Sequence, residues 1–308
     1  MSGLRIRGLT KRYADVLAID TVDLSVAPGC VHGLVGPNGA GKSTVMAAML
    51  GLIAADGGTM ELRGRPLADV RGRVPGGIAG TVEEPRFYPY LSAQANLELL
   101  ALLDDAGGMA PGEALQRVDL SGMASVQVSG FSMGMRTRLG VAACLLRSPA
   151  LLVLDEPTSG LDPGAAADLL VLLRELADDG ACVVLSSHDL AAVHEVCDDV
   201  TVLVGGRVVA SGQMAALTAL APPPSFVLST SDDGIAVGVA GAVRGVHAEM
   251  QADRLVVRGS PEAMDTFVLA LAAAGIAVRR LEPHESPLRL LFDALTASVQ
   301  ESPFRESV

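Results

Sequence analysis

The chain contains no tryptophan, and aromatic residues of all kinds make up only 3% of its 308 residues. Half of the sequence is hydrophobic, so its core has to be assembled mainly from Ala, Val and Leu, small side chains that demand close packing. Cysteine is also sparse. Cys30, Cys144, Cys182 and Cys197 form no CxxC pair, which argues against a disulfide scaffold or zinc ribbon and points to buried reduced thiols. Long apolar runs are missing as well: Asp, Glu or Arg interrupts every Ala/Leu-rich stretch before the roughly 20 residues that a spanning helix needs. The mean hydropathy of +0.41 therefore reads as a soluble chain of greasy composition that docks on a hydrophobic partner. Positive charge is short, with Lys+Arg 23 against Asp+Glu 35 and a formal net charge of -12, which disfavours nonspecific binding to nucleic acid or to an anionic membrane surface. The opening MSGLRIRGLTKRY lacks an apolar core of signal-peptide length, so a cytoplasmic location is expected.

What is present is an alternation of strands and helices. Leu4–Leu9, Val22–Val26 and Thr59–Arg63 read as strands of an antiparallel sheet, and VHGLV as a buried strand ending at Gly36, with a helix continuing over Val45–Leu52. A turn-rich passage around Pro75–Pro89 precedes an apolar helix at Ser92–Leu103. Arg136–Leu146 reads as a further helix with Arg136 and Arg138 toward solvent. Strand Leu151–Leu154, a helix from about Ala165 to Asp178, strand Ala181–Ser186, helix Leu190–Cys197 and a hairpin about Gly205–Gly206 then favour crossover units and a largely parallel sheet. The run Pro222–Pro224 cannot continue a helix and marks a boundary. Beyond it, strands at Phe226–Ser229, Val243–Val246, Leu255–Arg258 and Ile276–Arg279, with helices near Ala263–Ala274 and Pro287–Leu295, make a small α+β appendage.

The segment GPNGAGKST, residues 36–44, matches G-x-x-x-x-G-K-[ST] through Gly36, Gly41, Lys42 and Ser43. Gly36, Gly39 and Gly41, with Pro37, Asn38 and Ala40 between them, let the backbone curl so that successive N–H groups face phosphate oxygens, and the helix that starts beyond adds a favourable dipole. Lys42, one of only two lysines in the chain, should reach the β- and γ-phosphates, the Ser43 hydroxyl should join a Mg2+ shell, and Thr44 closes the motif. Asp155 and Glu156 follow the LLVL strand, where parallel α/β folds place ligand groups. Asp155 there can hold a metal-bound water, and Glu156 can orient or deprotonate an attacking water. His188, after ACVVLSS, is either a γ-phosphate contact or an ordinary strand-end histidine making a local hydrogen bond.

Taken in order over residues 3 to 220, these motifs resemble the nucleotide-binding subunit of ATP-binding cassette (ABC) transporters. The resemblance implies a P-loop NTPase core with an antiparallel β subdomain and a helical subdomain at about 90–147, together spanning 1–220, followed by an accessory domain over 225–299. It further implies that Tyr13 stacks on adenine. Ser132 and Gly134 of FSMGM correspond to the family signature LSGGQ, which contacts the γ-phosphate held by an opposite subunit. Met133 and Met135 depart from the usual Gly and Gln, whereas the hydroxyl and the close-approach glycine are kept. Asp155 and Glu156 map onto the metal and water site, Ser159–Asp162 onto a subunit-interface loop, and His188 onto a switch histidine. Glu83 (or Glu84, if the alignment slides by one) stands where the family commonly has a glutamine near Mg2+ and the membrane partner. A carboxylate there cannot donate as an amide can, and similar Glu-bearing loops occur in exporters of peptide antibiotics and drugs.

The expectation is therefore an enzyme that binds ATP and Mg2+, hydrolyses ATP, pairs with a second nucleotide-binding subunit as a homodimer, and powers a separate transmembrane permease from the cytoplasmic face of the membrane. The segment SPLRLLFDALT resembles the ending of the extension that exporters of the antibiotic and drug-resistance branch often carry, and this resemblance tilts the expected cargo direction outward, toward drug, antibiotic, peptide or lipid-like substrates. The competing readings are an importer subunit and a soluble cassette ATPase of translation or nucleic-acid metabolism. The acidic balance and the single motif set disfavour the soluble ATPase, and no nucleic-acid partner is expected. An ATP sensor without turnover is disfavoured by Glu156, and a dinucleotide-binding dehydrogenase by Lys42–Ser43.

Overall fold

The computed structural model describes residues 3–67, 77–82, 85–103, 108–251, 254–284 and 286–301, with side chains given up to 297. The chain divides into two compact units, Met1–Met214 and Ala215–Val308.

The first unit opens with a hairpin, β1 (Leu4–Tyr13) and β2 (Val16–Val26). Leu4 and Ile6 are buried while Arg5 and Arg7 are exposed, the period-two pattern of a strand with one wet face, and a register shift at Gly8, φ +59°, brings Leu9 back to the buried side. Strand β3 (Val31–Val35) leads into helix α1 (Lys42–Met49), which ends short of the expected Leu52 because Gly51 takes a left-handed φ of +69°. Strands β4 (Gly57–Leu62) and β5 (Arg65–Pro66) complete an antiparallel sheet of order β2-β1-β4-β5. Next comes β6 (Ile78–Thr81), a strand that the turn-rich reading of Pro75–Pro89 did not anticipate, since its IAGT carries a glycine and follows another. Gly80 is tolerated because an added Cβ would lie 2.1 Å from Val153 O of the neighbouring strand.

Three helices follow: α2 (Ala93–Leu103), α3 (Pro111–Arg117) and α4 (Met133–Leu145), with short 3-10 turns at Ser121–Met123 and Val128–Gly130. The sequence reading set Arg136 and Arg138 toward solvent. Both are instead only partly exposed, and the Arg138 guanidinium reaches Asp168 at 2.9 Å, because α4 packs against the helix that carries it. The remaining elements of this unit are β7 (Leu151–Leu154), α5 (Pro163–Asp178), β8 (Cys182–Ser186), α6 (Leu190–Val196), β9 (Asp199–Val204) and β10 (Arg207–Gln213); α7 (Met214–Thr218) follows. Asp162 caps α5 through a 3.0 Å bond from Ala165 N, and Asp189 caps α6. The main sheet has the order β10-β9-β3-β8-β7-β6, parallel throughout except for β10. Strand β3 lies between β9 and β8, so the strand order reverses beside its carboxyl end, where open α/β sheets bind ligands. The core is aliphatic, with Leu34, Val45, Met46, Val153 and Val184 all at 0% exposure, each worth about 1.5–3 kcal/mol of burial.

In the second unit β11 (Ser225–Thr230), α8 (Asp233–Ala242), β12 (Val246–Gln251), β13 (Arg254–Gly259), α9 (Pro261–Ala273) and β14 (Val278–Pro283) run β-α-β-β-α-β, followed by α10 (Pro287–Glu301). The antiparallel order β12-β13-β11-β14 makes this the ferredoxin-like arrangement. Helix α8 and the later start of β12 correct the expected strand at Val243–Val246. The glycines of DGIAVGVAGA lower helix propensity, but Ala236 and Ala240 are buried against the sheet and packing decides the outcome.

A histidine sits in the middle of the main sheet. His32 on β3 is 1% exposed; its Nε2 is 2.9 Å from Thr201 Oγ1, which in turn is 2.7 Å from Ser211 Oγ. Its Nδ1 has no partner among the described residues. Burial pushes the imidazole down to about 4, with Asp199 opposing the shift, so the folded protein keeps it neutral. Its unfolded counterpart protonates near 6.5. The unfolded chain therefore binds more protons between these values, and stability is lost as pH falls from about 6.5 through 4. Urea unfolding at about pH 7 and about pH 4.5 should show this group costing ~2 kcal/mol at the lower pH, and His32→Gln should remove that part of the slope. Parallel pH profiles for wild type and variant would refute the assignment.

Candidate functional site

The loop between β3 and α1 is shaped by close backbone approaches. A Cβ on Gly36 would lie 2.3 Å from Leu203 O of β9, and one on Gly41 would lie 2.7 Å from Ala18 O of β2. Gly39 and Gly41 adopt φ of +78° and +99°, the region glycine enters at no steric cost. Ala40 N donates to Pro37 O at 3.1 Å and Gly206 N donates to Ala40 O at 3.0 Å, which pins the curl to the β9–β10 turn. Helix α1 has no side-chain cap and no acidic residue in its first turn, so its amino end is left with uncompensated N–H groups and a positive dipole end. The Lys42 ammonium is 7% exposed and donates to Gly36 O at 2.7 Å and Pro37 O at 3.3 Å, folded over the loop it belongs to.

This loop forms one wall of a cavity of about 590 Å³. Residues 38–44, Val16–Ala18 of β2, Asp155, Glu156 and the Gly205–Gly206 turn enclose it. The structure thus brings Ser43, Thr44, Lys42 and both carboxylates together although more than a hundred residues separate the two groups. Tyr13 does not line the cavity. It sits at the end of β1 opposite Val16, 47% exposed, with Lys11 Nζ 5.4 Å from its ring centroid, and Val16 and Leu17 of its hairpin partner supply the wall.

Asp155 leaves the end of β7 with its N–H donating to Thr81 O at 2.9 Å. Its Oδ1 accepts from Ser186 Oγ at 2.5 Å, and Ser186 Oγ in turn accepts from Glu156 N at 2.8 Å. Glu156 itself takes a left-handed φ of +49°, unusual for a residue with a side chain. Its Oε2 is 2.6 Å from His188 Nδ1, and the histidine is otherwise well exposed. Of the two readings left open by sequence, the local hydrogen bond is thus present here, and its partner is the neighbouring carboxylate. Ser186 was missed by sequence reasoning. The available signal was the doubled serine before His188, on a strand whose register sets Leu185 level with Leu154.

Ser132 and Gly134 lie elsewhere. Ser132 Oγ caps α4, accepting from Met135 N at 3.3 Å, and Gly134 lets α4 approach α5, since an added Cβ would be 3.2 Å from Ala165 Cβ. Neither residue borders the cavity of the loop. Met133 lies over Gly160, where a Cβ would meet its sulfur at 2.7 Å. Glu83 and Glu84 lie outside the described residues. As a metal site, the cavity offers hard oxygen donors, the Ser43 hydroxyl and the Asp155 oxygen not engaged by Ser186. No group of three or more His, Cys, Asp or Glu side chains suited to a metal occurs among the described residues. That donor set fits Mg2+, which is commonly held by one or two side chains, phosphate oxygens and water, and does not fit an all-protein cage.

Two glycines of the loop should respond differently to a methyl group. Gly36→Ala places its Cβ against a backbone oxygen of a central strand and should cost about 1–3 kcal/mol of stability or more. Gly39→Ala points into open space, and its cost should be confined to the left-handed conformation, about 1–2 kcal/mol. Denaturant unfolding of the two variants side by side measures this. A Gly36→Ala protein as stable as wild type would contradict the packing.

Comparison with known proteins agrees with this geometry. The ABC transporter family model matches residues 19–159. The lantibiotic transport ATP-binding protein SrtF of Streptococcus pyogenes is 34% identical over 208 residues, 67% of this chain and 89% of that protein. The daunorubicin resistance ATP-binding protein DrrA3 of Streptomyces coeruleorubidus is 37% identical over 219 residues, 68% of each chain. Among solved structures, an ATP-binding subunit of an ABC transporter superposes with a TM-score of 0.61 at 31% identity, covering 70% of this chain and 92% of that one. A nucleotide-free ATP-binding cassette gives 0.62 at 25% identity, covering 69% and 92%. With the loop, the paired carboxylates and the histidine gathered in one α/β unit, these likenesses establish that the chain belongs to the ABC transporter family, as one of its ATP-binding subunits.

Proposed function

We propose that the cavity between the loop of residues 36–44 and Asp155–Glu156 is where this subunit binds and hydrolyses ATP, and that the energy drives export of a drug-like or peptide cargo through a separate permease. The observation that carries the reading is the convergence of an uncapped helix N-terminus, a buried lysine and two carboxylates on one cavity. The loop N–H groups and Lys42 bind the β- and γ-phosphates. Ser43 and Asp155 would hold Mg2+, which supplies neutralisation of phosphate charge. Glu156 orients the attacking water and takes its proton, while His188, joined to Glu156 through Nδ1, keeps Nε2 for the terminal phosphate. Tyr13, exposed beside the Val16–Leu17 wall, has the freedom to swing onto an adenine. Glu83 lies outside the described residues, and its assignment to the metal side of the site rests on the resemblance of its loop to the family's glutamine loop.

Ser132 and Gly134 do not line the cavity of their own loop, which supports the reading that they complete the site of a second copy. Binding would then close two subunits about two nucleotides, and loss of the γ-phosphate would reopen them. The permease would dock at a cavity of about 320 Å³ between α2 and α4, where Phe87, Leu100 and Leu103 form an apolar wall and Leu102 stands 84% exposed beside them. No described helix is long and apolar enough to cross a membrane, so the translocation path is assigned to that partner, with this subunit at the inner membrane face. Cargo class is drawn from relatives named for lantibiotic transport and daunorubicin resistance.

Glu156→Gln should leave ATP affinity within a few-fold, lower turnover by about 100-fold or more, and accumulate an ATP-linked dimer in light scattering. Wild-type turnover in this variant would reject the role of Glu156, and turnover stimulated by ribosomes or nucleic acid but not by a co-expressed permease would reject the transport reading.

A further inference from the structure

Ser186 ends β8 with 0% exposure. The parallel register sets it level with Leu34 of β3 on one side and one step beyond the Leu185–Leu154 pair on the other. Its hydroxyl therefore lies between the strand that feeds the phosphate loop and the strand that ends in Asp155. It makes two bonds, 2.5 Å to Asp155 Oδ1 and 2.8 Å from Glu156 N. A hydroxyl has one hydrogen and two lone pairs, and a backbone amide can only donate. The direction of both bonds follows: Glu156 N–H donates to Ser186 Oγ, and the hydroxyl hydrogen is committed to the Asp155 carboxylate.

One atom thus holds the side chain of Asp155 and the main chain of Glu156. The second bond matters because Glu156 occupies a left-handed φ of +49°, a conformation that persists only where surrounding contacts over-determine it. That backbone setting aims the Glu156 carboxylate at His188 Nδ1, 2.6 Å away. The first bond occupies Oδ1 of Asp155 and leaves the other carboxylate oxygen for the cavity that Asp155 lines.

We infer that Ser186 is a positioning residue of the ATPase site, setting the metal-side and water-side carboxylates together; the inference rests on the roles proposed above for Asp155 and Glu156. The Lys42 ammonium bonds Gly36 O and Pro37 O, and Ser186 does not line the cavity of the loop, so its loss should spare nucleotide binding. A serine that merely fills space would, in contrast, affect melting and nothing else.

The test uses the full chain carrying Ser186→Ala, with Ser186→Cys as the variant of closer volume should alanine fail to fold. Mn2+ is titrated by electron paramagnetic resonance into the ADP-bound protein, and ATP turnover is followed in parallel, alongside Asp155→Asn and Glu156→Gln. Expected for the Ser186 variant are about tenfold weaker Mn2+ binding, turnover lowered about 10- to 100-fold, and KM for ATP within about threefold of wild type. Wild-type Mn2+ affinity and turnover in the Ser186 variant, whatever its melting temperature, would overturn the inference while Asp155→Asn and Glu156→Gln still show their losses. If Asp155→Asn binds Mn2+ normally or Glu156→Gln turns over normally, the reading of the site itself falls, and the positioning role falls with it.

Discussion

At Gly36 the chain passes so close to Leu203 O that a methyl group would sit 2.3 Å from that oxygen. The approach is possible because β3 is paired on both sides, by β9 and by β8, which fixes the direction in which the chain leaves the sheet. From this one contact the rest of the site follows. The loop must turn immediately, Gly39 and Gly41 supply the left-handed turns, and α1 starts at Lys42 with its amino end open toward the cavity. A residue with a side chain at position 36 would push β9 away and with it the Gly205–Gly206 turn that holds Ala40.

Opposite the loop, negative charge is held by short hydrogen bonds instead of cations. Asp155 and Glu156 are tied to Ser186 and His188, and no arginine or lysine pairs with either carboxylate among the described residues. An acidic pair left without a fixed cation suits the proposed site, where a mobile cation would arrive with the phosphates. At the proposed site the net charge of -12 would not oppose an anionic nucleotide, since the loop presents N–H groups and an ammonium there. The second unit uses different means. Its sheet is covered on one face by α8 and α9, with Phe267 fully buried among aliphatic residues, and it needs no ligand to account for its core.

How much of this was legible depends on how local each signal is. The loop, the Asp155–Glu156 pair and His188 are short motifs at strand ends, and their residues are neighbours in sequence, so spacing alone exposes them. The strands β3, β7 and β8 were legible because each is a continuous aliphatic run. Strand β6 was not, because four residues flanked by glycine carry too weak a pattern. Helix α8 was not, because three glycines outweigh its buried alanines until the sheet against which it packs is known. Arg138 was set toward solvent because helical period assigns faces but does not say that α5 lies alongside.

The sequence by itself determined that a glycine-rich turn with the G-x-x-x-x-G-K-S pattern exists, which carboxylates and histidine accompany it, and that the core would be built from small aliphatic side chains. Tertiary structure alone decided which of these groups meet. It placed Asp155 and Glu156 on one cavity with Ser43, and left Tyr13, Ser132 and Gly134 off its lining. It also made Ser186, an ordinary serine in a strand, the shared partner of the Asp155 carboxylate and the Glu156 backbone N–H. The reason is physical: a motif specifies backbone conformation over a few residues, whereas the pairing register of parallel strands distant in sequence sets which side chains stand at the same height.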